Sequence, residues 1–148
     1  MEHAIDEGTR LAIRRTYDVP VATVYAAWTD PQQMSRWMGP ADALAPSEVT
    51  QDFRVGGRYR IVMHAAGGET HRVGGVYREI VRDRKLVYTW AWESTPERES
   101  LVTVEFLPAG QGTELVLVHE RFADAQARDR HQQGWIGCFN RLDRHLST

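Results

Sequence analysis

Lys85-Leu86-Val87-Tyr88-Thr89-Trp90-Ala91-Trp92-Glu93, residues 85–93, sets Leu86, Tyr88, Trp90 and Trp92 on one parity and smaller or polar side chains on the other. Successive side chains of a strand point to opposite faces, so this segment reads as a strand with one apolar, ring-rich face. The pattern continues on both sides. Downstream, Val102, Val104 and Phe106 share a face within 99–108, and Leu115, Leu117 and His119 share one within 112–121. Upstream, Tyr59, Ile61 and Met63 share a face within 58–65, leaving Arg58, Arg60 and His64 outward, and further strands are expected at about 47–54 and 70–82. The breaks carry turn chemistry: Gly56-Gly57, Gly67-Gly68, Asp83-Arg84, Thr95-Pro96-Glu97 and the run from Pro108 to Gly112. Links this short make neighbouring strands antiparallel. Gly74-Gly75, in the middle of 70–82, predicts a bend or bulge that curls the sheet.

The flanks are helical apart from one more strand. Residues 9–17 alternate, with Leu11, Ile13, Arg15 and Tyr17 on one face. Asp18 is placed to cap a helix with Pro20 in its first turn, and Val21, Val24, Tyr25 and Trp28 follow at the spacing of one helical stripe. Thr29 or Asp30, before Pro31, starts a second short helix that carries Met34, Trp37 and Met38 and stops at Gly39-Pro40. At the other end Asp124 caps a helix to about Leu146, about 33 Å long at 1.5 Å per residue. Its stripe is Trp135, Cys138, Phe139, Leu142 and Leu146. Gly134 and Gly137 interrupt that helix at a cost of about 1 kcal/mol each relative to alanine, which predicts close approach of a neighbour or ligand, or a kink, beside Trp135. The expected fold is α+β: a curved antiparallel sheet of about seven strands wrapped on a long C-terminal helix, with two short helices after strand one. One domain is expected over 1–148, with an N-terminal tail at 1–8.

Composition narrows the functional classes. The 148 residues are 42% hydrophobic and 26% charged, with 18 Lys and Arg against 20 Asp and Glu, a net charge of −2. A nucleic-acid binder would show a basic excess, so no nucleic-acid partner is expected. Cys138 is the one cysteine, which excludes an internal disulfide and any CxxC site and suits a reducing cytosol. No stretch reads as a signal peptide or a membrane span, and a cytoplasmic location is expected. The six histidines show no HxxH, HxH or HExxH spacing, so neither a metal nor a cofactor is expected. No catalytic constellation is visible. His119 is the one inward imidazole, and it reads either as a satisfied core histidine or as a base that only a bound substrate would recruit.

Five tryptophans need a destination. Packed rings would make a plain core; the sharper reading is that several rings and methionines on a curved sheet frame a cavity, since ligand sites have apolar and aromatic walls with a few polar groups. The proposed lining is Tyr88, Trp90, Trp92, His119 and Trp135, completed by Tyr59, Met63, Val104, Leu117 and Cys138, with Trp37 and Met38 near the mouth. Trp28 is assigned to packing of the first short helix.

Seven segments in order carry a family resemblance: Tyr17-Asp18-Val19-Pro20 with the Val24 and Trp28 helix, Trp37-Met38-Gly39-Pro40, residues 52–59 from Asp52 to Tyr59, Leu86-Val87-Tyr88-Thr89-Trp90, Val102-Thr103-Val104-Glu105-Phe106, His119-Glu120-Arg121-Phe122, and His131-Gln132-Gln133-Gly134-Trp135. Over about residues 9–147 the chain resembles the START-like (Bet v 1-like), helix-grip superfamily known as SRPBCC, and within it the activator of heat shock protein 90 ATPase homologue family. The resemblance implies a hydrophobic cavity between sheet and long helix, used by different members for lipids, sterols, polyketides or plant hormones. It therefore implies binding of a small apolar or aromatic molecule, with a polyketide cyclase-type enzyme as one alternative. The other alternative is a co-chaperone. The eukaryotic co-chaperone is resembled over only one of its two domains, so a chaperone partner is not expected. A homodimer through an edge strand is left open.

Overall fold

The computed structural model describes residues 8–43 and 45–147; of the expected tail at 1–8, only Gly8 lies within them. Strand β1 (Arg10–Tyr17) leads into helices α1 (Val21–Thr29) and α2 (Pro31–Trp37). Six strands then follow without interruption: β2 (Glu48–Gln51), β3 (Arg58–His64), β4 (Thr70–Val81), β5 (Lys85–Trp92), β6 (Ser100–Ala109) and β7 (Gly112–Glu120). Helix α3 (Ala125–Leu146) completes the order. All neighbours pair antiparallel, in the sheet order β1-β7-β6-β5-β4-β3-β2. Each strand from β2 to β7 pairs with the next because the turns are short, and β1 closes onto β7 with Leu11 opposite His119. β2 ends earlier than the 47–54 expected, at Gln51, after which Asp52 and Arg54 enter the turn before β3.

Two local expectations are corrected. Asp18 does not cap α1: Pro20 holds the N-cap position with no side-chain bond to the first turn, and Asp18 lies too far ahead to reach the free N–H groups. The other two caps form as read, Asp30 accepting from the Gln32 amide at 3.0 Å and Asp124 from the Ala127 amide at 2.8 Å. The register shift in β4 falls between Tyr77 and Glu79, not at Gly74-Gly75. The glycines answer a different need. A Cβ on Gly75 would collide with the Thr89 carbonyl, and one on Gly74 would come within 2.8 Å of the Tyr59 carbonyl. At this tight crossing the Thr89 hydroxyl accepts the Val76 amide at 2.8 Å, and the Tyr59 hydroxyl donates to the Thr89 carbonyl at 2.5 Å. Side chains thus satisfy the backbone where close approach interrupts the ladder.

The inner face of the sheet carries the apolar parity set, and α3 lies across it. Arg128 Nε donates to the Arg10 carbonyl near the start of α3, and Arg15 and Tyr17 both reach Asp143 near its end, at 2.7 and 2.8 Å. Arg141 donates to the carbonyls of Arg36 and Pro40, tying α3 to the α2 side as well. The helix is thereby fixed along its length, which sets the distance between its Trp135 turn and the sheet.

Candidate functional site

The interior divides at Trp135. On one side α1 and α2 insert Trp28, Met34, Trp37 and Met38 between sheet and α3, all buried. Trp28 packs on Trp37 with ring centroids 4.6 Å apart, stacks on Trp135 at 6.1 Å, and meets Phe106 and Phe139 edge-on or tilted. The space left among Trp28, Met38, Tyr59, Tyr77 and Tyr88 is about 10 Å³, at the lower limit for one water. This half is a solid core.

On the other side of Trp135 nothing fills the gap. A cavity of about 340 Å³ opens between the ends of β3 to β5 and the middle of α3, walled by Met63, Trp90, Trp92, Trp135 and Cys138, with Gly39 and Pro40 at one border. Its polar edge is His71, Arg130 and His131, all three of which also line a wider outer recess of about 620 Å³. Gly134 explains the open space: a Cβ built there meets no atom within 4 Å, so the helix leaves a side-chain volume vacant. Gly137, one turn on, has the opposite surroundings, with Ala41 Cβ only 3.2 Å from its own imagined Cβ. One glycine admits the loop after α2; the other borders the cavity.

The polar groups around the cavity are mostly committed. His119 is fully buried. Its Nδ1 accepts from the Trp135 indole at 2.9 Å, its Nε2 lies 2.7 Å from the Ser100 hydroxyl, and that hydroxyl reaches the Trp90 carbonyl at 3.1 Å. These contacts fit one neutral tautomer, in which Nε2–H donates to Ser100 and Ser100 donates onward to Trp90. Burial, with His131 nearby, holds the imidazole well below its usual range, since a second proton would face the Trp135 N–H. His131 is fixed in the same manner: Nδ1–H donates to the Ala127 carbonyl at 2.7 Å and Nε2 accepts from the Trp92 indole at 2.8 Å, and burial lowers its pKa too. The Cys138 thiol donates to the Gly39 carbonyl at 3.3 Å and burial pushes it up to about 11, so it is a wall atom and not a thiolate nucleophile. Among the buried groups at this cavity one remains unspent: the Trp90 indole Nε1 is without a hydrogen-bond partner.

Five of the twelve expected lining residues therefore meet at this cavity: Met63, Trp90, Trp92, Trp135 and Cys138. Met38, Tyr59 and Tyr88 surround the near-zero void instead. Val104, Leu117 and His119 are packed behind the walls, and Trp37 is not at a mouth but wholly enclosed, donating its indole N–H to the Ala27 carbonyl at 2.9 Å. Parity correctly turned these side chains inward but could not show that α1 and α2 would occupy the space in front of them. His71, Arg130 and His131 were missed. Two signals were available: His71 shares strand parity with Val73 and Tyr77, and His131 precedes Trp135 by four residues on the same helical face. Among the described residues no group of three or more His, Cys, Asp or Glu could hold a metal ion, and no helix is long and apolar enough to cross a membrane. A third recess, about 700 Å³ between β1 and the end of α3, is lined by Arg15, Tyr17 and Asp143, which already bind one another. Those three side chains are spent on joining strand to helix.

With this geometry in hand, three comparisons place the chain. Residues 18–147 match the family model described as Activator of Hsp90 ATPase homolog 1-like protein. Among solved structures, a protein of Chromobacterium violaceum is 27% identical with a TM-score of 0.85, over 95% of this chain and 99% of its own. One from Rhizobium leguminosarum is 28% identical with a TM-score of 0.74, covering 93% of both chains, and one from Rhodobacter sphaeroides is 26% identical with a TM-score of 0.79, over 95% and 93%. No functionally curated protein matches in sequence.

Proposed function

Since the chain belongs to the Activator of Hsp90 ATPase homolog 1-like family and has its helix-grip fold, we propose that it binds a small, largely apolar or aromatic molecule between β3–β5 and α3. The carrying observation is the cavity of about 340 Å³ walled by Met63, Trp90, Trp92 and Trp135 and left open by Gly134. That volume and lining suit a compact ring system, within the range of about 300–1,000 Å³ that small-molecule sites occupy. Binding needs no further chemistry from the protein. A cyclase-type reaction with His119 as its base would need the Nδ1 lone pair that Trp135 already holds. The exposed large apolar side chains among the described residues are Val55 and Val81, which gives a co-chaperone contact no apolar face to start from.

Titration of intrinsic tryptophan fluorescence against a panel of apolar ring compounds tests the proposal, because three of the five indoles stand in the cavity wall. Saturable quenching that Gly134→Leu abolishes is expected, since the leucine would occupy the cavity. A panel that produces no saturable change removes the reading.

A further inference from the structure

The outer recess differs in charge from the inner cavity it joins. Three arginines, Arg72, Arg98 and Arg130, line it against one carboxylate, Glu93. That carboxylate is already taken: Arg60, which lies outside the recess, holds it through Nε at 2.7 Å and Nη2 at 3.3 Å, and this contact lowers the Glu93 pKa. Arg98 and Arg130 make no side-chain hydrogen bond or ion pair among the described residues; nor does Arg72, which lies on the opposite strand parity from the cavity-lining His71. Asp124, next to the lining Ala123, is spent on capping α3. Three guanidinium groups are therefore uncommitted at the outer recess, and one of them, Arg130, also borders the ring-lined inner cavity. Trp90, on the wall common to both spaces, adds a buried indole N–H with no partner. The uncommitted charged groups at the site are thus all cationic, and the buried unpartnered group is a donor, which together favour an anionic acceptor.

Building on the proposed cavity, we propose that its ligand is an organic acid: a molecule whose apolar or aromatic body enters the inner cavity and whose carboxylate-like group faces Arg98 and Arg130 in the outer recess. Guanidinium suits this role because it stays charged at any physiological pH and matches a carboxylate with two parallel hydrogen bonds. Trp92 and His131 border both spaces, so a single molecule passing this pair can reach Trp90 and Trp135 with its body while its charge remains in the recess.

The test compares 2-naphthoic acid with 2-naphthamide, near-isosteres that differ in charge, by calorimetric titration of the full chain. The acid is expected to bind about tenfold or more tightly at about 20 mM salt, with the gap narrowing at about 0.5 M salt, where screening shortens to a few ångströms. The double variant Arg98→Gln/Arg130→Gln is expected to bring the acid down to the amide while weakening the amide, which carries no charge, far less. Both arginines are exposed, so the variant should fold as the parent does. Gly134→Leu should abolish binding of both compounds. Equal affinities in the parent chain, or a preference that survives the double variant, would overturn the acid assignment while leaving the cavity reading intact. Acid binding that survives Gly134→Leu would overturn it too, as a surface ion effect. If neither compound binds the parent chain, both the acid assignment and the cavity reading fall.

Discussion

Two tryptophan pairs sit on either side of Trp135 and meet opposite fates. Trp28 and Trp37, 4.6 Å apart, are less than 2% exposed and enclose almost no space. Trp90 and Trp92, 5.6 Å apart, stand on the wall of a cavity of about 340 Å³. The difference is not in the rings but in what stands opposite. Two short helices drive Met34 and Met38 into the first end, whereas the second end faces Gly134, which contributes no side chain. The unpartnered indoles make the same point. Trp28 and Trp90 both bury an Nε1–H without an acceptor, yet only Trp90 lines a space large enough for a ligand to bring one. An excess of aromatic residues therefore signals burial, and a missing Cβ on the facing element turns burial into a site.

Truncating one ring from each pair gives the largest expected contrast. Trp28→Ala should cost about 3–5 kcal/mol, because it opens a hole in the one place where Trp37, Phe106, Trp135 and Phe139 all converge. Trp92→Ala should cost less than about half of that, since Trp92 is only partly buried and already borders open space, yet it should weaken binding of ring compounds at least tenfold. Urea unfolding and fluorescence titration of both variants measure the two quantities. Equal stability losses would mean that the two ends are packed alike.

His119, behind Trp90 and Trp135, gives the next effect in size. His119→Gln breaks a chain running from Trp135 through the imidazole and Ser100 to the Trp90 carbonyl, and stranding one buried partner should cost about 1–3 kcal/mol. The pH dependence has a definite sign. Burial keeps the folded His119 below its ordinary value of 6.5, so on acidification the unfolded chain takes up a proton that the folded chain refuses. Stability is fully present above about pH 6.5 and declines as the pH falls below it. His119→Gln should start less stable at pH 7 and lose less on going to pH 5, the remaining slope belonging to His131 and His145, which are also depressed. Denaturant midpoints at several pH values check this. An unchanged slope would mean that His119 carries no pH-dependent stability.

These contrasts also mark what could be read without coordinates. Strand parity placed Tyr59, Ile61, Met63, Tyr88, Trp90, Val104 and Leu117 inward, because a period of two leaves a wrong register nowhere to hide its apolar side chains. Helical spacing likewise exposed the Trp135, Cys138, Phe139 and Leu142 stripe, and the resemblance supplied the connection between them. The division of the interior was not legible, since it depends on how deeply α1 and α2 insert, and no local pattern encodes that depth. Trp37 went to the rim for this reason, although it lies in the centre. Of the bend or bulge expected at Gly74-Gly75, the bulge is not there: paired glycines also signal a tight crossing, and only the position of Thr89 on the neighbouring strand separates the two.

The smallest effect tests the comparison most directly, because it uses one substitution at two places on one helix. Gly134→Ala adds a methyl group into open space and removes the conformational freedom of a helical glycine, so it should stabilise the protein by up to about 1 kcal/mol. Gly137→Ala gains the same helix propensity but sets its methyl 3.2 Å from Ala41 Cβ and 3.3 Å from the Ala41 amide nitrogen. The loop after α2 is held there by Arg141 on the Pro40 carbonyl and by Cys138 on the Gly39 carbonyl, so it can yield only by loosening those bonds. Gly137→Ala should therefore be neutral or destabilising while Gly134→Ala is stabilising, a difference that thermal unfolding can resolve. If Gly134→Ala instead proves the costlier change, the space beside Trp135 is not open, and the division of the interior into a filled end and a vacant end fails with it.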